Sequence, residues 1–217
     1  MTDAVIFDFD GTLVDSTENI IKSMKKTLLE FNCPVDDIFI QKRIGIGANA
    51  IIVDALNKNS IPPDDDLIER ITSKLISNRL SYLDLIHLQN GAVSLLDSLK
   101  DRIRIALATM GIREVLTRIL EDRSLKEYFE VIVAADDCVN PKPNPEIFLK
   151  CAKKLNLEPE KCVVIEDSIF GVQAAKYAGM KCIAVTSGFY DREQLKEADL
   201  ILPSISEKRK IFDFIFS

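Results

Sequence analysis

Two aspartates follow the first apolar run of the chain. Asp8 and Asp10 lie in the segment DFDGT, directly after the hydrophobic residues VIF. Because side chains alternate along a strand, the two carboxylates face the same side. Neighbouring carboxylates repel each other unless a cation or a shared proton lies between them. Gly11 allows a tight turn that brings backbone N–H groups close to an anion. The segment indicates a site for a cation and an anion, and a solvated acidic turn is the alternative.

Two further polar positions also follow apolar runs or lie in a stiff loop. Thr109 ends the run IALAT, and Met110 follows it at the predicted start of a helix. A hydroxyl and backbone N–H groups at a helix start suit a phosphate oxygen, although threonine is also an ordinary helix cap. Lys142 lies in NPKPNPE, where the prolines fix the direction in which the side chain leaves the loop. Taken alone, this lysine is equally consistent with a solvated loop.

An acidic pair follows a later apolar run. Glu166 and Asp167 come directly after CVVI and before Ser168. Carboxylate oxygens are the ligands that Mg²⁺ prefers, so the pair is a candidate for binding this ion. Acidic residues at a helix start also stabilise the helix dipole, which is the alternative.

Short β-rich apolar runs alternate with amphipathic segments over most of the chain. The predicted strands are Ala4–Phe9, Ile103–Ala108, Val131–Ala134, Cys162–Ile165, Lys181–Val185 and Leu200–Leu202. The predicted helices of this part are Ala92–Lys100, Arg113–Glu121, Pro145–Leu155, Gly171–Ala178 and Glu207–Phe216. Strands that alternate with helices form parallel βαβ units, which predicts an α/β fold. The four polar clusters follow predicted strands, so we expect them at one edge of one sheet.

One stretch breaks this alternation. From about Ser16 to Leu85 the apolar spacing is helical, with helices predicted at Ser16–Phe31, Asn49–Lys58 and Asp64–Leu83. The sequence therefore predicts an all-helical insertion between the first strand and the rest of the sheet.

Composition excludes several classes of protein. The 217 residues carry 28 basic and 34 acidic side chains, so the net charge of −6 argues against nucleic-acid binding. No apolar run approaches the ~18 residues of a membrane span, and no signal peptide is recognisable. Five cysteines without CxxC spacing favour a reducing cytoplasm. The single histidine excludes a multi-histidine metal site.

The sequence resembles the haloacid dehalogenase (HAD) superfamily of phosphohydrolases over essentially its whole length. DFDGTLVDS is similar to the first motif of the family, Thr109 to the second, Lys142 in PKPNPEIF to the third and IEDSIFGVQAAKYAGM to the fourth. The resemblance implies a Rossmann-like parallel sheet core, formed by residues 1–15 and 86–217. It also implies a C1-type α-helical cap formed by residues 16–85.

The resemblance also implies roles for the residues singled out above. Asp8 would attack phosphorus to form an aspartyl-phosphate, and Asp10 would act as the general acid and base. Mg²⁺ would be held by Asp8, the Asp10 carbonyl and Asp167, with Glu166 nearby. The phosphoryl group would be bound by Gly11, Thr109, Met110 and Lys142. These roles are those of a phosphatase that acts on a small phosphorylated metabolite, of the phosphoglycolate phosphatase type, as a monomer or a homodimer.

The cap is expected to set the choice of substrate. Arg43 and Gly47, in the segment KRIGIGAN, are the residues we expect to face the phosphate ester, although this segment could be only a tight helix connection. A β-phosphoglucomutase-like phosphomutase is the alternative within the family. Members of that branch usually carry a histidine where this chain has Ile20 and an arginine where it has Ala48, whereas Thr12 resembles the phosphatases.

Two alternatives lie outside this enzyme class. A phospho-accepting receiver domain also combines acids, a threonine and a lysine, but it needs only ~120 residues and no helical cap. The other alternative is a binding protein without catalytic activity.

Overall fold

The computed structural model describes residues 2–217, which form eight strands and nine α-helices. The strands are β1 (Ala4–Phe7), β2 (Val14–Asp15), β3 (His87–Leu88), β4 (Arg104–Ala108), β5 (Val131–Val133), β6 (Cys162–Glu166), β7 (Lys181–Val185) and β8 (Leu200–Leu202). The helices are α1 (Thr17–Glu30), α2 (Asp37–Gln41), α3 (Ala48–Lys58), α4 (Asp65–Ser81), α5 (Ala92–Leu99), α6 (Arg113–Asp122), α7 (Glu146–Leu155), α8 (Ile169–Tyr177) and α9 (Lys208–Ile215).

Six strands form one parallel sheet in the order β5-β4-β1-β6-β7-β8. After β1 the chain builds one side of the sheet through β4 and β5, and then crosses to β6 on the other side. Open α/β sheets bind ligands where the strand order reverses in this way, at the carboxyl ends of the strands. The register puts Phe7 opposite both Leu107 and Ile165, so β1, β4 and β6 end at the same level. The predicted α/β fold is confirmed.

Alternating side chains of the strands pack into two separate cores, one on each face of the sheet. In β1, Val5 and Phe7 belong to one core, and Ala4 and Ile6 belong to the other. Helices α5, α6 and α9 contribute to the first core and α7 and α8 to the second. Burying one large aliphatic or aromatic side chain contributes about 1.5–3 kcal/mol, so the two cores hold β1 firmly at the centre.

Helices α1–α4 lie between β1 and β4 in the chain, as the sequence predicts. Helix α1 buries Met24 and Leu28, and α4 buries Ile71 and Leu75, in the same apolar core that covers one face of the sheet. Helix α2 was not predicted, because five residues are too few to show a helical period; Asp36 caps it.

The chain enters and leaves this helical segment through a short antiparallel ribbon of β2 and β3. In the ribbon Val14 pairs with Leu88, and Asp15 pairs with His87. Among residues 2–217, no helix combines the length and the apolar character needed to cross a bilayer.

Candidate active site

Lys142 joins two carboxylates at the end of the central strands. Its ammonium nitrogen lies 2.7 Å from Oδ1 of Asp8 and 2.6 Å from Oε1 of Glu166. All three side chains are buried, and the Asp8 N–H donates to the carbonyl of Ile165 in β6. A buried ammonium is tolerated only with such partners. The lysine that looked solvated when taken alone is therefore part of the same cluster as the carboxylates.

The loop before α7 that carries Lys142 is held by Glu146. Its carboxylate accepts hydrogen bonds from the N–H groups of Val139 and Asn140, at 3.1 and 2.8 Å, and from the Asn140 side chain. Lys150, one turn further along α7, pairs with the same carboxylate at 2.6 Å. These bonds fix the backbone from which Lys142 extends.

The turn between β6 and α8 orients the carboxylate of Glu166 through hydrogen bonds. Oε2 accepts hydrogen bonds from the N–H of Asp167, and from the N–H and hydroxyl of Ser168, at 2.8 to 3.0 Å. Ser168 also caps α8 by accepting from the N–H of Gly171. Both oxygens of Glu166 therefore already have partners, which fits a residue that orients its neighbours. A Cβ atom at position 171 would lie 1.7 Å from Oε1 of Glu166, so glycine is required there.

Asp167 lies in a similarly tight space. Thr12 donates a hydrogen bond to its Oδ1 at 3.1 Å. A Cβ atom at Gly11 would lie 2.1 Å from Oδ2, and one at Gly188 would lie 2.0 Å from it. Gly11 also has a φ of +95°, a conformation that favours glycine. Two loops thus approach Asp167 closely because they carry no side chain there.

The backbone N–H of Gly11, which the sequence offers to a phosphate group, already has a partner in the structure. The N–H of Gly11 donates to the carbonyl of Val14 at 2.7 Å, which closes the turn before β2. The carbonyl of Gly11 accepts from the side chains of Gln89 and Ser187, both at 3.1 Å. Gly11 thus closes this turn and leaves room for Asp167, and its contact with a phosphate group stays a prediction.

The buried charges of this cluster are unbalanced. Burial raises the pKa of Asp8 well above its usual range, although Lys142 lowers it again in part. Burial, followed by the negative charges of Glu166 and Asp8, raises the pKa of Asp167. Burial alone would lower the pKa of Lys142, but Asp8 and Glu166 outweigh it and the pKa is raised. One ammonium thus faces three carboxyl groups.

The same three carboxyl groups fit a divalent cation. Asp8, Glu166 and Asp167 each offer an oxygen, and these oxygens lie within 4.8 Å of one another. Oxygen donors at this spacing are suited to Mg²⁺, and a cation would compensate the excess of negative charge.

Asp10 occupies the side of the site that faces the helical segment. Its Oδ1 accepts a 2.5 Å hydrogen bond from Ser16 and lies 3.5 Å from Nη2 of Arg79 in α4. Its Oδ2 lies 3.5 Å from the hydroxyl of Thr109 at the end of β4. Asp8 and Asp10 therefore reach different partners, although only Phe9 separates them in the chain.

Thr109 and Met110 lie in a loop and not at the start of a helix. Helix α6 begins at Arg113, and the Thr109 hydroxyl accepts a 2.9 Å hydrogen bond from the N–H of Gly111. This bond closes a turn within the loop that joins β4 to α6, and α6 starts at the residue where the predicted range Arg113–Glu121 starts. The hydroxyl still faces Asp10, and Met110 still borders the site.

A cavity of about 50 Å³ lies beside Asp8 and Asp10. Thr109, Met110 and Asp167 line it from the core. The helical segment lines it with Ile20, Met24, Ile44, Gly45, Gly47, Ala48, Ile51, Leu75 and Arg79. Gly47 lines the cavity and lies beside Met110.

Arg43 does not line this cavity, contrary to expectation. Its guanidinium pairs with Asp54 of α3 at 2.7 Å and stacks on the ring of Phe39. Both partners belong to the helical segment itself, so these contacts of Arg43 stabilise that segment.

Sequence reasoning missed Arg79, which is buried beside Asp10. A signal was present, because Ile71, Leu75 and Arg79 recur every four residues and so share the buried face of α4. Its neighbour Asn19, fully buried in α1, accepts a hydrogen bond from Nε of Arg79 at 2.8 Å.

Comparisons with known proteins agree with this geometry. A family model described as haloacid dehalogenase-like hydrolase matches residues 5–185. A phosphorylated carbohydrates phosphatase of Thermotoga maritima is 33% identical over 206 residues, which cover 92% of each chain. The fructose-1-phosphate phosphatase YqaB of Escherichia coli is 32% identical over 188 residues, covering 83% of this chain and 95% of its own. A crystal structure of β-phosphoglucomutase from Clostridium difficile has a TM-score of 0.88 at 27% identity, and all of both chains is covered.

These matches confirm the resemblance that the motifs suggested, and the relatives confirm the expected enzyme class, a phosphoric monoester hydrolase. The structural neighbour confirms the HAD-like core with its helical insertion. The chain belongs to the haloacid dehalogenase-like hydrolase family.

Proposed function

We propose that this protein is a magnesium-dependent phosphatase that hydrolyses a small phosphorylated metabolite, of the phosphoglycolate phosphatase type. The observation that carries the proposal is the position of Asp8. Its carboxylate lines the cavity at the reversal point of the sheet and lies 2.7 Å from the buried ammonium of Lys142.

Asp8 and Asp10 divide the chemistry between them. An oxygen of Asp8 forms a bond to phosphorus while the ester P–O bond breaks, and the leaving oxygen takes a proton from Asp10. Asp10 then takes a proton from water, whose oxygen bonds to phosphorus as the Asp8–phosphorus bond breaks. Inorganic phosphate leaves, and both aspartates return to their starting state.

Lys142, Thr109 and the backbone of Met110 serve the phosphoryl group in this proposal. Lys142 provides positive charge beside Asp8, which lowers the repulsion between a carboxylate and a phosphate dianion. The Thr109 hydroxyl borders the cavity near Asp10 and can donate to a phosphoryl oxygen.

Asp8, the Asp10 carbonyl and Asp167 would hold Mg²⁺, and Glu166 would orient Lys142 and the turn that carries Asp167. When bound, the ion supplies positive charge to the phosphoryl oxygens and to the crowded carboxylates. The crowding of three carboxyl groups at this edge of the sheet supports a cation there, with Asp8 and Asp167 as the carboxylate ligands.

Residues 1–15 and 86–217 form the core domain in this proposal, and residues 16–85 form a cap. The β2–β3 ribbon supports the division, because both connections to the helical segment run through it. An opening movement about these connections would admit substrate to a cavity that is small when closed. The cytoplasmic location, the lack of a nucleic-acid partner and the monomeric or dimeric state stay predictions.

A phosphomutase is the second candidate, because the structural likeness to β-phosphoglucomutase covers the whole chain. A mutase would return a phosphoryl group from Asp8 to a second position of the sugar. Its product would be an isomer, whereas a phosphatase releases inorganic phosphate.

The test is phosphate release from a panel of sugar phosphates, nucleotides and 2-phosphoglycolate, with and without Mg²⁺. We expect release that requires the ion, is abolished in Asp8→Asn and persists in Asp3→Asn, which changes an exposed aspartate of the same segment. Isomerisation of a sugar phosphate primed by its bisphosphate, without net release, would favour the mutase. No turnover of any compound in either assay would refute both.

A further inference from the structure

The helical segment contributes one charged side chain to the lining of the cavity, among the residues that the structure describes. The other side chains it contributes are apolar: Ile20, Met24, Ile44, Ala48, Ile51 and Leu75. The exception is Arg79, which is only 6% exposed. Burying a guanidinium is costly unless it is paired, so an arginine in an apolar wall requires an explanation.

Hydrogen bonds with Asn19 fix the side chain of Arg79. Its Nε donates to Oδ1 of Asn19 at 2.8 Å, while the Asn19 amide donates to the carbonyls of Arg79 and Tyr82 at 3.0 and 2.8 Å. Asn19 is fully buried, so these bonds are shielded from water. The direction of the guanidinium is therefore fixed before any ligand binds.

The charge of Arg79 is only loosely matched in the structure. Its described ionic partner is Asp10, at 3.5 Å, much longer than the 2.7 Å contact between Lys142 and Asp8. A guanidinium has five N–H donors in a planar fork that fits a carboxylate with two parallel hydrogen bonds. The contacts with Asn19 and Asp10 engage Nε and Nη2.

We propose that Arg79 determines specificity by binding a carboxylate on the leaving group of the substrate. This inference rests on the proposed function, in which Asp10 protonates the ester oxygen. The guanidinium lies 3.5 Å from Asp10 Oδ1, so a carboxylate on the carbon next to that oxygen lies within reach of Arg79. The substrate class is the phosphate ester of a short 2-hydroxy acid.

The rest of the cavity argues against larger or more polar leaving groups. A sugar would place several hydroxyl groups against isoleucine, leucine and methionine side chains, where they would lose their hydrogen bonds to water. A second phosphate is also anionic, but it is bulkier and more polar than a carboxylate. A compact acid supplies the charge and sets the fewest polar groups against the apolar wall.

The experiment compares 2-phosphoglycolate with 2-hydroxyethyl phosphate, which replaces the carboxylate by a neutral hydroxymethyl group. We expect kcat/KM of the wild type to favour 2-phosphoglycolate by on the order of 10- to 100-fold, the range of a charge-assisted hydrogen bond. Arg79→Gln should bring this ratio close to one, mainly through KM, and Arg79→Lys should keep part of it. Arg70→Gln, which changes an exposed arginine of the same helix, should leave the ratio unchanged.

The wild type alone can overturn the inference, even if Arg79→Gln fails to fold. Equal kcat/KM for the two esters, or faster turnover of ethanediol bisphosphate or fructose 1-phosphate, would refute carboxylate recognition while leaving the phosphatase proposal intact. An unchanged ratio in a folded Arg79→Gln variant would refute the role of Arg79. No phosphate release from any ester would instead count against the proposed function.

Discussion

Oδ1 of Asp8 lies 2.7 Å from the ammonium nitrogen of Lys142, although 134 positions separate the two residues in the chain. Because Lys142 also pairs with Glu166, its removal leaves two buried carboxylates without a counter-charge. In the proposed function, stability and activity therefore depend on the same nitrogen atom.

Lys142→Met should lower both the catalytic rate and the stability of the protein. We expect kcat to fall on the order of 10²- to 10³-fold, the typical cost of losing a preorganised charge donor. The free energy of unfolding should fall by about 3–5 kcal/mol, since breaking a buried ion pair leaves uncompensated charge. Phosphate release and urea denaturation measure the two effects. Lys153→Met, at an exposed position of α7, is the control, and full activity in Lys142→Met would contradict the assignment.

Gly171→Ala should disturb the site from outside it. Helix propensity alone would make alanine more stable than glycine by about 1 kcal/mol. The added Cβ would meet Oε1 of Glu166 at 1.7 Å, so Glu166 and with it Lys142 must move. We expect a net destabilisation of about 1–3 kcal/mol, as for overpacked cores, and a fall in kcat. Thermal denaturation measures the change in stability, and turnover measures the change in kcat. Tyr177→Ala, which removes an exposed side chain from the same helix, is the control. A stabilised variant would show that Glu166 has room to shift.

Mg²⁺ should raise the thermal unfolding temperature, because it binds the folded carboxyl cluster and not the unfolded chain. At a concentration 100 times Kd the gain is about 2.7 kcal/mol. Asp167→Asn should remove most of the shift by deleting one carboxylate of the cluster. Differential scanning fluorimetry with Mg²⁺ or EDTA measures it, with Asp213→Asn, at an exposed position of α9, as the control. An undiminished shift in Asp167→Asn would place the cation elsewhere.

Acid should weaken the loop that carries Lys142. The hydrogen bond from Lys150, followed by those from the backbone N–H groups of Val139 and Asn140, lowers the pKa of Glu146 from 4.5 to about 2. A lowered folded-state pKa contributes stability above pH 4.5, and that contribution is lost as the pH falls towards 2.

Glu146→Gln should therefore be less stable than the wild type at pH 7, and the difference should shrink as the pH falls below 4.5. Urea denaturation at a series of pH values from 7 to 3 follows this difference. Glu127→Gln, at an exposed position, should show no such convergence. A difference that is independent of pH would mean that the charge of Glu146 is not what holds the loop.

The sequence was most informative where one local pattern determines the outcome. β1, β4 and β6 are short apolar runs with polar residues at their ends, and parallel pairing brings those ends together whatever the loops do. This is why Asp8, Thr109 and Glu166 could be placed at one edge without coordinates. The helical character of the insertion followed from its spacing in the same way.

The sequence does not show the direction of a side chain or which partners compete for a hydrogen-bond donor. Arg43 pairs with Asp54 and stacks on Phe39, and the Gly11 N–H donates to Val14, because these partners lie close by in the structure. Arg79 faces Asp10 only because α1 and α4 pack together, and that packing brings Asn19 beside it. Such contacts join residues far apart in sequence, so no local pattern reports them.

The pairing of Asp15 with His87 has an evolutionary consequence. Facing residues of an antiparallel ribbon lie only about 5 Å apart, so a two-residue turn could connect them directly. In the proposed function, the helices between these two positions form one continuous insertion, whose exchange would leave the order of the sheet strands unchanged. We expect that replacing this one continuous piece of gene would change the range of substrates, while Asp8, Thr109 and Lys142, which lie outside it, would be inherited unchanged.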